Sequence, residues 1–114
     1  MNGTPLLDRA GIEALIPHRA PFLLVDRVLS DDRATQTLVA ELDVTADAFW
    51  TPGHFPGMPI MPGVLQVEAL AQAMALYVAR TEGFGTRLGL FAKIEECRFT
   101  RMVVPGETLR LEVT

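Results

Sequence analysis

The spacing of apolar residues changes several times along the chain, and each change marks an element. From Pro5 to Ile16 the apolar residues Ile12, Leu15 and Ile16 fall on one side of a short helix, which Pro17 ends. Phe22 to Leu29 is a dense apolar run and reads as a strand. Ser30 to Arg33 is polar and predicts a turn. Thr35 to Thr45 then alternates, with Leu38, Ala40, Leu42 and Val44 on one face. Together these segments predict a hairpin.

Phe49 to Gly63 breaks every period. Pro52, Pro56, Pro59 and Pro62 alternate with Gly53, Gly57 and Gly63, so neither a helix nor a strand can run through it. Yet the same segment carries Phe49, Trp50, His54, Phe55, Met58 and Met61. An apolar loop stiffened by proline is expected to pack against something and to carry function. Pro62 suits the first turn of a helix, where its missing N–H costs nothing. A helix is predicted from there to about Arg80, with Gly83 as its stop. At about 1.5 Å per residue it is roughly 28 Å long. It is apolar on nearly every side and should be buried, with Glu68 and Gln72 as its polar stripe at i, i+4.

Leu88, Leu90, Ala92 and Ile94 alternate, and the phase slips before Cys97 and Phe99. That predicts a long strand with a bulge near Glu95 and Glu96. Val103 and Val104 lead into a Pro105-Gly106 turn, and Leu109, Leu111 and Val113 form another alternating strand. One long helix against an antiparallel sheet is an α+β layout. A sheet covers only one side of such a helix.

The chain has 114 residues, 49% hydrophobic and 21% charged, which fits a single domain with a real core. A domain this small gains from a partner subunit. A net charge of -4 argues against broad nucleic-acid binding, which needs a basic footprint. The lone Cys97 allows no intrachain disulfide and reads as a buried thiol in a reducing compartment. Residues 1–20 carry Asp8, Arg9, Glu13 and Arg19 and show no signal-peptide run. Pro62 to Ala79, the longest apolar stretch, contains Gln66, Glu68 and Gln72, a poor membrane span. The expectation is a cytoplasmic protein with no membrane and no nucleic-acid partner.

Three residues could carry chemistry. His54 sits in the stiff loop, and an imidazole titrates near neutral pH. It is either a structural histidine or a general base. Glu68 is a carboxylate on an apolar helix, so it must be paired, protonated, facing a cavity or reaching solvent at a helix edge. Its functional reading is a general acid. Gly63 heads the helix, where its amide has no intrahelical acceptor and can polarise a carbonyl oxygen; it can equally serve turn geometry. A base, an acid and an oxyanion donor suit proton abstraction next to a carbonyl. His18 reads as structural. Lys93, Arg98 and Arg101 form either a solvated strand face or a docking patch for an acidic partner. No phosphate loop of standard form, HExxH or Cys/His metal cluster occurs.

The loop and helix read Gly53-His54-Phe55-Pro56-Gly57-Met58-Pro59-Ile60-Met61-Pro62-Gly63-Val64-Leu65, then Glu68-Ala69-Leu70-Ala71-Gln72. Ile16 to Val28 and Arg98 to Glu107 form two further ordered motifs. All three resemble the FabZ-type 3-hydroxyacyl-[acyl-carrier-protein] dehydratases, over roughly residues 13 to 114. The resemblance implies a hot-dog fold, a long antiparallel sheet wrapped around one long helix. It implies a homodimer or a trimer of dimers, in which histidine and glutamate of one site come from different subunits. It implies reversible dehydration of a (3R)-hydroxyacyl thioester on acyl carrier protein, in fatty acid biosynthesis. By the same resemblance His54 takes the C2 proton and Glu68 serves the departing hydroxyl. The Gly63 amide holds the thioester carbonyl, Phe55, Pro59, Val64 and Leu65 line the acyl tunnel, and no cofactor or metal takes part. Glu68, where isomerising relatives carry Asp, points to the non-isomerising type.

Three departures stand out. Thr51-Pro52 lengthens the approach to the motif by one residue, and Met102 stands where proline is usual. The family pattern also continues for two further strands beyond Thr114, so residues 1–114 read as a single hot-dog domain that is incomplete at its C-terminus. The competing readings are a hot-dog thioesterase or isomerase, and a non-catalytic module that binds acyl groups or carrier protein.

Overall fold

A computed structural model of the protein describes residues 4–82 and 102–114. In chain order these hold α1 (Arg9–Leu15), β1 (Arg27–Asp32), β2 (Thr37–Asp43), α2 (Gly63–Glu82) and β3 (Thr108–Val113). The strands form one antiparallel sheet in the order β1-β2-β3. The predicted strand over Leu88 to Phe99, Gly83, Cys97 and the basic residues Lys93, Arg98 and Arg101 lie outside the described residues.

The first helix is shorter than its apolar pattern predicts. It starts after Asp8, whose carboxylate accepts from the Gly11 amide at 2.8 Å as an N-cap. Leu7 instead exchanges backbone hydrogen bonds with Val28, at 3.1 and 3.0 Å, and extends the sheet. At the other end the prediction holds. Ile16 is extended (φ −126°, ψ 155°), as the residue before a proline must be.

The strand expected over Phe22 to Leu29 begins only at Arg27 and runs on to Asp32, through the predicted turn. Leu23, Leu24 and Val25 are buried, but the Leu23 amide bonds Arg19 O, and side chains meet Leu23 O and Leu24 N. Arg9 Nη2 donates to Leu23 O at 2.8 Å, and Gln72 bonds Phe22 O and Leu24 N, each at 2.8 Å. An apolar run cannot distinguish these two ways of satisfying buried amides. The register of β1 against β2 slips between Val28 and Ser30, and Leu29 in that gap is exposed.

The hairpin is crossed by ion pairs. Arg27 on β1 bonds Glu41 at 2.7 Å and also Asp43, both on β2. Burial alone would lower the Arg27 pKa, but the hydrogen bonds and charges of Asp43 and Glu41 outweigh it and the net shift is upward. Near the turn, Asp31 has a fully buried side chain. Its Oδ2 accepts from Arg33 Nη2 and from Arg80 Nε on α2, both at 2.7 Å. Arg80→Met should therefore lower the unfolding free energy by about 1 kcal/mol, readable as a shift in urea midpoint, since Arg80 is partly exposed and Arg33 still pairs with Asp31.

The core lies between the sheet and α2. Leu38, Ala40, Leu42, Leu111 and Val113 face Ala69, Ala73, Leu76 and Ala79. The alanines let the helix approach the strands closely. The sequence predicts a helix buried on all sides, but two apolar residues of α2 are exposed. Val64 is 77% exposed and Leu70 is 38% exposed. Phe49, Phe55 and Met58 in the preceding loop are also exposed.

Candidate active site

The Pro/Gly loop is held by its own backbone. Trp50 O accepts from the amides of Gly53 and His54, at 3.1 and 3.0 Å. Phe55 and Met58 exchange backbone bonds at 3.0 and 2.8 Å, closing a turn in which Gly57 takes φ +74°, a conformation that favours glycine. Met61, 1% exposed, is an anchor, and its amide donates to Val103 O at 2.8 Å. The loop is thereby fastened to the segment that leads into β3.

His54 is fixed twice to one residue. The Ile60 amide donates to His54 O at 2.8 Å, and His54 Nδ1 stands 2.9 Å from Ile60 O. A carbonyl can only accept, so Nδ1 carries the hydrogen. In the neutral ring Nε2 then keeps its lone pair, the form a general base needs. The ring is half-buried and stacks on Phe55 with centroids 4.0 Å apart.

The loop ends at α2. Pro62 O accepts from Leu65 N and Gln66 N at 3.0 and 3.2 Å, which sets the first turn. Gly63 is the first helical residue, so its amide lies at the positive end of the helix without an intrahelical acceptor. Glu68 is half-buried, and its Oε2 accepts from Gln72 Nε2 at 2.9 Å. The carboxylate on this helix is thus both hydrogen-bonded to a neutral amide and partly open to solvent. The sequence shows the i, i+4 stripe but not what Gln72 does with its other hydrogen bonds. Those go to Phe22 and Leu24, 50 and 48 residues away, and no local pattern encodes them.

Among the described residues His54 and Glu68 each have their own partner, and no hydrogen bond joins them. Phe55 and Val64 are exposed, and Pro59 and Leu65 are half-buried. His18 stacks on Phe22 at 6.3 Å, and its Nδ1 is buried without a hydrogen-bond partner among the described residues. A cavity of about 520 Å³, lined by Arg9, Leu23, Asp26, Asp43, Phe49 and Trp50 among others, includes none of His54, Gly63 and Glu68. No described helix is long and apolar enough to cross a membrane.

The family model for the FabA-like domain matches residues 16–114, which takes in the loop, α2 and strands β1, β2 and β3. The chain belongs to the FabA-like family. Within it the chain is of the FabZ type. It is 48% identical over 108 residues to the 3-hydroxyacyl-[acyl-carrier-protein] dehydratase FabZ of Desulforamulus reducens, covering 95% of this chain and 75% of that protein. It is 49% identical over 108 residues to the protein of the same name from Bacillus pumilus, covering 95% of this chain and 74% of that one. The FabZ of Listeria monocytogenes is 49% identical over 107 residues, again covering 74% of the relative. An antiparallel sheet packed on one long helix is the hot-dog layout of a FabA-like domain. In this FabA-like chain α1 precedes the matched region, and every candidate site residue lies inside it.

Proposed function

We propose that the chain catalyses reversible dehydration of (3R)-hydroxyacyl-[acyl-carrier-protein] to the trans-2-enoyl thioester in fatty acid biosynthesis, with residues 1–114 acting as a single hot-dog domain. The observation that carries the mechanism is the tautomer of His54: Nδ1 is engaged by Ile60 O, so Nε2 is the basic nitrogen. Nε2 removes the C2 proton. Charge moves onto the thioester oxygen, where the Gly63 amide and the helix N-terminus stabilise it. Glu68 gives a proton to the C3 hydroxyl, the C3–O bond breaks and water leaves. The oxidation changes at C2 and C3 are equal and opposite, so no redox cofactor is required, and proton transfers suffice without a metal. Phe55, Pro59, Val64 and Leu65 border the space for the acyl chain.

The site is assembled between subunits of a homodimer, or of a trimer of dimers, His54 of one facing Glu68 of the next. The exposed apolar residues Val64, Leu70, Phe49, Phe55 and Met58 support this reading, as do the separate partners of His54 and Glu68. The other partner is acyl carrier protein, docked at Lys93, Arg98 and Arg101, and the protein works in the cytoplasm.

The test is direct. The purified protein is incubated with a trans-2-enoyl thioester of acyl carrier protein. The conjugated absorbance should fall as a 3-hydroxyacyl thioester forms. Release of the free carrier thiol would instead identify a thioesterase, and a moved double bond an isomerase. Binding without turnover would identify a non-catalytic module.

A further inference from the structure

We propose that Gln72 is a positioning residue for Glu68, fixing which carboxyl oxygen delivers the proton; this rests on the reading of Glu68 as the acid. Gln72 is 1% exposed. Each of its polar bonds is dictated by a neighbour with a fixed role. The Leu24 amide can only donate, so the atom facing it at 2.8 Å is Oε1. Phe22 O can only accept, so the atom facing it at 2.8 Å is Nε2. A flipped amide would leave both backbone groups facing like partners, so this orientation is enforced. The second hydrogen of Nε2 is then directed at Glu68 Oε2, 2.9 Å away. Gln72 has no lone pair to offer there, so Oε2 must be an acceptor. A carbonyl oxygen accepts better than a carboxylic O–H oxygen, so the donor at Oε2 favours protonation of Glu68 on Oε1, and we assign Oε1 as the oxygen that meets the hydroxyl.

The consequence reaches past α2. Phe22 and Leu24 precede β1, so the acid is aligned to that buried segment as well as to its own helix. A glutamate side chain has three rotatable torsions, and the bond from Gln72 removes most of that freedom before substrate arrives.

The test compares wild type, Gln72→Met, Glu68→Gln and the double variant in the enoyl hydration assay, with melting curves for each. Gln72→Met should lower kcat by about 10- to 100-fold with KM within about twofold, because only alignment in the transition state is lost. In the Glu68→Gln background the same change should cost less than about twofold, since no acid is left to align. An equal loss in both backgrounds, or no loss in the first, would overturn the role. If Gln72→Met shows no melting transition, Gln72→Glu carries the test, since its carboxyl still accepts from Leu24 N but no longer donates to both neighbours. If neither folds, Gln72 serves the fold alone and the proposal falls. Full activity of Glu68→Gln by itself would reject Glu68 as the acid, a distinct failure.

Discussion

Mixing His54→Ala protein with Glu68→Ala protein should restore activity that neither variant has alone. Each variant by itself should lose about 10³-fold in kcat, within the range for removing a general acid or base. His54 is anchored to Ile60 and Glu68 to Gln72, and the two do not bond each other within the described chain. A mixed dimer would contain one site with both groups intact and one with neither. With random pairing half the dimers are mixed, so roughly a quarter of wild-type activity should return after co-refolding or co-expression. If each site lay within one chain, the mixture would show only the sum of its parents. The experiment thus measures both the chemistry and the shared architecture of the site.

The largest expected loss of stability is at Leu76. It is 0% exposed, in the middle of α2, within the cluster that includes Ala40, Leu111 and Val113. Leu76→Ala removes several methylene contacts and leaves a cavity that strands cannot collapse to fill, at a cost of about 3 kcal/mol. Chemical denaturation should show a lower midpoint with an unchanged slope, because the surface exposed on unfolding is the same. A cost below about 1 kcal/mol would show that Leu76 is not packed as described. Protein concentration should be held constant across the series, since association of subunits would add to the apparent stability.

Much of the site is readable from residue order. Proline and glycine from Pro52 to Gly63 dictate an irregular loop, and apolar spacing after it dictates a long helix, realised as Gly63–Glu82. Glu68 and Gln72, one helical turn apart, stand out against their apolar background. The hairpin is readable too, because Leu38, Ala40, Leu42 and Val44 recur every second residue and turn inward, although Val39 between them is also buried. Less readable are the ends of elements. Leu7 pairs with Val28, and Leu23 to Val25 are buried outside any strand. Both depend on partners distant in the chain.

Residue order alone therefore determined the α+β layout, the motif that places His54 and Glu68, and a helix too apolar to stand by itself. Only tertiary structure decided the tautomer of His54, which depends on Ile60 O coming back against the ring. Only tertiary structure decided that Gln72 spends its amide on Phe22, Leu24 and Glu68. The reason is physical: periodicity reports which side of an element is apolar, whereas a hydrogen bond between distant residues depends on angles and distances that packing sets.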